Sequence, residues 1–143
     1  MPPVSPTWCN AFDTHPPNPS EVLKILIADS GSTKCDWLCI DDQGHVQTEF
    51  HTMGFNPYFH NADLVQEKML ASPKAAELAA EIEFVYFYGA GSSSEALCSI
   101  IREGLERVFT NAKVHVGHDL EGAAFSTYSG EPAITCIIGT GSN

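Results

Sequence analysis

The chain has 143 residues, 43% of them hydrophobic and 17% charged, and its 18 Asp and Glu against 7 Lys and Arg give a formal net charge of -11. That length supports one domain with a sizeable core. The acidic balance argues against nucleic acid or an anionic membrane as a partner, because Lys and Arg supply affinity for phosphate backbones.

No apolar run approaches the ~20 residues of a membrane span, and the start lacks the charged and apolar regions of a signal peptide. A cytoplasmic placement is therefore expected. The five cysteines are Cys9, Cys35, Cys39, Cys98 and Cys136. Their odd number, with no CxxC pair, argues against a disulfide framework and against a zinc site. They read as small core residues.

Residues 1–22 hold Pro2, Pro3, Pro6, Pro16, Pro17 and Pro19 without apolar periodicity and read as a disordered leader. From Lys24 the pattern is strand, turn, strand, turn, strand. Ile25 to Ala28 is a short apolar run bounded by turn residues, hence a buried strand that delivers Asp29 to its end. Ser30-Gly31-Ser32-Thr33 must then turn sharply. Gly31 permits φ > 0, so the turn is either an ordinary hairpin tip or a nest of N–H groups open to phosphate.

A second strand, about Lys34 to Ile40, alternates Cys35, Trp37 and Cys39 against Asp36, Leu38 and Ile40. Asp41 to Gly44 is a hairpin turn, and a third strand runs from about His45 to Met53. Gly54-Phe-Asn-Pro57 breaks that strand, and Pro57 biases Asn56 toward an extended conformation.

Asn61 is placed to cap a helix carrying Leu64, Val65 and Met69. Ser72-Pro73 opens another helix, a cap followed by a first-turn proline, reaching about Ala80. Glu83 to Tyr88 is a β-prone strand ending at Gly89-Ala-Gly91, where backbone can approach a ligand. Ser92 to Glu95 has the spacing of a capping box before a helix with Leu97, Ile100, Ile101, Leu105 and Val108 on its apolar face. Ala112 to Val116 forms the next strand. Asp119 then opens a helix as an N-cap, with Glu121 a solvated first-turn acid and Gly122, Ala123 and Ala124 small enough for close approach. His115 and His118 lack a further metal ligand at useful spacing, so all six histidines take packing or surface roles. Finally, Ala133 to Ile138 repeats the buried-strand run and is followed by Gly139-Thr-Gly-Ser-Asn143.

Asp29-Ser-Gly-Ser-Thr-Lys-Cys-Asp-Trp37 and Ile138-Gly-Thr-Gly-Ser-Asn143 resemble the two phosphate motifs of the sugar-kinase, heat-shock ATPase and actin superfamily. With Gly54-Phe-Asn-Pro57 and His118-Asp-Leu-Glu-Gly-Ala-Ala124, the chain looks most like the N-acetylglucosamine kinase and BadF/BadG-type ATPase family. Four motifs in the expected order are more specific than any one glycine-rich loop.

The resemblance implies an α/β, ribonuclease-H-like half-domain, a mixed sheet of about five strands with flanking helices over residues 23–131. Residues 132–143 would begin a truncated C-terminal lobe with the first strand of a missing half. It further implies a transferase using Mg²⁺ and ATP to phosphorylate an amino sugar, N-acetylglucosamine, in carbohydrate metabolism. Asp29 would organise the metal. Ser30, Gly31, Ser32 and Thr33 would bind phosphate, with Lys34 either an added cation or a surface residue. Gly139, Thr140, Gly141 and Ser142 would bind phosphate from the opposite lobe. Asp119 would be the general base toward the sugar hydroxyl, and Asn56, Gly89 and Gly91 would help seat the sugar.

The same resemblance calls for an adenosine-binding motif beyond Asn143, so the isolated chain is expected to be an inactive fragment, with room for a homodimer through the missing half or an exposed edge. Two other readings stay open: an ATPase activator of the BadF/BadG type, whose iron–sulfur cysteines are not visible here, and a non-catalytic sugar- or nucleotide-sensing module in which Asp119 only caps.

Overall fold

The computed structural model describes residues 22–130. Five strands form one mixed sheet: β1 (Lys24–Ser30), β2 (Lys34–Asp41), β3 (Val46–Met53), β4 (Phe84–Gly89) and β5 (Lys113–His118). Their order is β3-β2-β1-β4-β5. β2 pairs antiparallel with both β1 and β3, whereas β4 is parallel to β1 and to β5. The hairpins need only tight turns, while each parallel step needs a helical crossover. Those crossovers are α1 (Ala62–Leu70) with α2 (Pro73–Leu78), and α3 (Glu95–Glu106); α4 (Asp119–Thr127) follows β5.

Strand alternation sorts the two faces of the sheet. Leu26, Ala28, Cys35, Trp37, Cys39, Phe50, Val85, Phe87 and Val116 are buried with Val65, Met69, Ile101, Leu105 and Phe109 in one apolar cluster. Trp37 lies at its centre, stacked on Phe50 with 5.7 Å between ring centroids and donating Nε1–H to Thr52 Oγ1 at 2.9 Å. Cys35, Cys39 and Cys98 are free thiols in this core; Cys9 and Cys136 lie outside the described residues. The opposite face carries Ile27, Asp29, Asp36, Tyr86 and Tyr88. It is covered only in part by α4, whose Phe125 packs edge-on to Tyr88.

Local chemistry sets most element ends. Asn61 caps α1 by accepting from the Leu64 N–H at 2.9 Å, and Ser72 caps α2 ahead of Pro73. Two starts differ from the sequence reading. Ser92 does not open a capping box: Ser94 is the N-cap of α3, and Glu95, its first residue, pairs with Arg102 at 2.7 Å. The reason lies in the preceding turn, where Ser92 and Ser93 spend their N–H groups on the carbonyls of Gly89 and Gly91. Likewise His118, not Asp119, is the N-cap of α4. Among the described residues no helix is long and apolar enough to cross a membrane.

Candidate active site

The sheet order makes one edge special. The chain leaves β1 toward β2 and β3 on one side and returns on the other through β4 and β5, so β1 marks a topological switch point. Ligands in open α/β sheets sit outside the carboxyl ends of the strands at such a point. Register places Ser30 beside Gly89 and Gly89 beside His118 across the three parallel strands. Asp29 near the end of β1 and Asp119 just beyond β5 therefore converge, although 90 positions separate them in the sequence.

A cavity of about 830 Å³ opens there, with Asp29, Gly31, Thr33, Lys34, Asp36 and Asp119 along its polar side and Tyr86, Tyr88, Ala123 and Phe125 along its apolar side. The β1–β2 turn is a tight hairpin, not the left-handed nest that Gly31 would permit. Gly31 has no positive φ, and its N–H closes the turn on the Lys34 carbonyl at 2.9 Å. Exposed Ser32 and Thr33 form the tip. Ser30 differs from its neighbours: it is buried, its hydroxyl accepts from the Phe55 N–H at 2.9 Å, and that bond ties the end of β1 to the segment after β3.

Negative charge dominates the polar side. Asp29 and Asp36 face each other across β1 and β2. Partial burial, then the charges of Asp36 and Asp119, push the Asp29 carboxyl above its ordinary range. Asp36 is held below that range mainly by its hydrogen bond from Lys34. Its Oδ1 lies 2.7 Å from Lys34 Nζ and 2.5 Å from His51 Nδ1. Lys34 is thus engaged with Asp36 at the mouth of the cavity. Asp119 Oδ1 accepts from the Leu120 N–H at 2.8 Å and lies 2.9 Å from His118 Nδ1.

Asn56 and Gly91 meet beside this cavity and do not line it. Asn56 Oδ1 accepts from the Tyr58 N–H at 3.0 Å, an Asx turn, and its own N–H donates to His60 Nδ1 at 3.1 Å. Gly91 adopts φ +80°, and a Cβ there would stand 2.5 Å from Asn56 Oδ1. Gly89 ends β4 against Ser30. Gly139, Thr140, Gly141 and Ser142 lie outside the described residues.

No protein-family model matches the chain, and no curated protein matches it. Solved structures do. A crystal structure of a candidate N-acetylglucosamine kinase from Porphyromonas gingivalis shares 35% identity with a TM-score of 0.72, over 83% of this chain and 42% of that one. The chain is homologous to the actin-like ATPases of the BadF/BadG type. It spans about two-fifths of the length of the relative it matches. The five-stranded sheet with flanking helices is the actin-like, ribonuclease-H-like ATPase fold.

Within that fold the donor set suits one kind of metal. Among the described residues no three His, Cys, Asp or Glu side chains are grouped to hold an ion by themselves. Mg²⁺ is commonly held by one or two carboxylates together with substrate phosphates and water. Asp29, faced by Asp36 and short of positive partners, fits that description.

Sequence reasoning missed Asp36, His51 and His118. The signal for Asp36 was present, since it shares a strand face with Lys34, but its meeting with Asp29 and His51 depends on register across three strands. His118 was signalled only by its adjacency to Asp119.

Proposed function

We propose that the chain is the N-terminal lobe of an ATP-dependent kinase for an amino sugar, with residues 23–131 as the lobe and 132–143 opening a second one. The observation that carries this reading is the cavity in which Asp29, the β1–β2 turn and Asp119 come together. Likeness to the Porphyromonas gingivalis protein supports N-acetylglucosamine as the acceptor.

Phosphoryl transfer demands positioning and charge neutralisation more than covalent help. Asp29 would hold the Mg²⁺ that accompanies ATP, and the ion, when bound, would supply charge neutralisation at the phosphates. Ser32 and Thr33 present hydroxyls to the β- and γ-phosphates, and Ser30 holds the turn in place from beneath. Gly31 keeps the approach open: among the described residues a Cβ there would meet only the Lys34 carbonyl, at 3.6 Å, so their packing does not require glycine. Lys34 exchanges Asp36 for phosphate. Gly139, Thr140, Gly141 and Ser142 complete the phosphate site. Asn56, Gly89 and Gly91 stand beside the cavity and do not line it, so on this reading they would help seat the sugar from its margin. Asp119 receives the proton of the acceptor hydroxyl, a role worth roughly 10²–10⁴ in rate.

A coupled ADP-release assay on the complete open reading frame, with and without N-acetylglucosamine, tests the proposal. Sugar-dependent turnover that falls at least a hundredfold in Asp119→Asn is expected. Sugar-independent hydrolysis would replace this reading with an ATPase activator, and binding without turnover would replace it with a sensing module.

A further inference from the structure

One nitrogen makes two contacts that a single protonation state cannot satisfy. His118 Nδ1 lies 2.9 Å from Asp119 Oδ1 and 3.2 Å from the Leu120 nitrogen. A neutral imidazole nitrogen carries either a proton or a lone pair. With the proton on Nε2, Nδ1 accepts from Leu120 but sets its lone pair against the carboxylate oxygen. With the proton on Nδ1, His118 donates to Asp119. The Leu120 N–H then turns wholly to Asp119 Oδ1, which it already reaches at 2.8 Å. The second arrangement sets a donor–donor contact with the Leu120 N–H at 3.2 Å against a shorter, charge-assisted hydrogen bond to the carboxylate at 2.9 Å, and the charge-assisted bond is the stronger of the two.

We infer that His118 is a positioning residue for Asp119. Its Nδ1–H and the Leu120 N–H both engage Oδ1, and among the described residues Oδ2 has no partner, which leaves it for an acceptor hydroxyl in the cavity. Two donors on one oxygen fix the carboxylate plane without long side chains, one from the N-cap residue and one from the first turn of α4. The imidazole approaches from behind. Asp119 lines the main cavity, whereas His118 lines a separate opening with Ser93, His115 and Glu121. A ligand in front of Asp119 therefore leaves His118 in place. This inference rests on the reading of Asp119 as the base.

Two measurements test it. Nitrogen-15 NMR of the imidazole reports which ring nitrogen is protonated. The Nδ1–H tautomer is expected in the native chain, changing to Nε2–H in Asp119→Ala, where Nδ1 is left to accept from Leu120. A native Nε2–H tautomer, or one that Asp119→Ala does not alter, overturns the inference. In the complete reading frame, His118→Ala should lower kcat about tenfold to a hundredfold with KM for the sugar unchanged. His118→Asn, whose amide can donate from nearly the same point, should recover most of that loss. A fall expressed in KM, or no recovery with Asn, overturns it as well. Absence of any sugar-dependent turnover in the unaltered enzyme would refute the kinase reading, while the tautomer result would still decide whether His118 holds Asp119.

Discussion

Gly54 and Gly31 offer a controlled comparison, because one is required by packing and the other is not. Gly54 is buried at the end of β3, with its Cα directed at the backbone of the β1–β2 turn. A Cβ there would stand 2.1 Å from the Gly31 carbonyl oxygen and 2.8 Å from Thr33 N, where real Cβ contacts essentially never fall below 3.0 Å. Gly54→Ala must therefore drive the turn and the β3 exit apart by most of an ångström. Both sides are backbone held by strand pairing, so no side chain can absorb the movement.

Overpacking of this kind costs about 1–3 kcal/mol, against a gain of roughly 0.4–1 kcal/mol from the less flexible unfolded chain. The net loss is on the order of 1–2 kcal/mol. Gly31→Ala, with negative φ available and only one contact at 3.6 Å, should retain the unfolded-state gain and be neutral or slightly stabilising. Urea unfolding followed by Trp fluorescence measures both. A Gly54→Ala midpoint within about 0.5 kcal/mol of the parent, or a Gly31→Ala loss as large as that of Gly54→Ala, would refute the packing argument.

Asp29 supplies a prediction with a pH sign. Its carboxyl is raised above 3.8 by burial and by Asp36 and Asp119, so the folded chain holds that proton more tightly than the unfolded chain does. The associated stability is present below the ordinary carboxylate range and is lost as pH rises through the raised value. Asp29→Asn should consequently melt higher than the parent at neutral pH, by a margin that added salt reduces; on the proposed kinase reading, the same change in the complete reading frame should abolish calorimetric binding of Mg·ATP. A lower melting temperature at neutral pH would contradict it. For the thiols, burial pushes Cys35 up to about 12 and raises Cys39 and Cys98 as well. Alkylation mapped by mass spectrometry should spare all three until denaturant is added, and prompt native labelling of Cys35 would show that the core opens more readily than its packing implies.

Much of this fold was legible in contiguous residues. The alternation of Cys35, Trp37 and Cys39 gave β2 and its buried face, and Asn61 and Ser72-Pro73 gave two helix starts, because periodicity and capping depend on neighbours a few positions apart. The start of α3 was misjudged by two residues for the opposite reason. The turn through Gly91 occupies the N–H groups of Ser92 and Ser93, and its shape depends on Asn56, which lies far away in the chain.

By itself, then, the sequence determined the strands, the turns, the apolar faces and the types of side chain available for chemistry. Only the tertiary structure decided that Asp29 confronts Asp36, that Lys34 pairs with Asp36, and that Asp119 shares a cavity with the β1–β2 turn while His118 stands behind it. The physical reason is one of range: strand alternation and caps follow from local geometry, whereas parallel register and the convergence of strand ends come from packing a whole sheet against its helices.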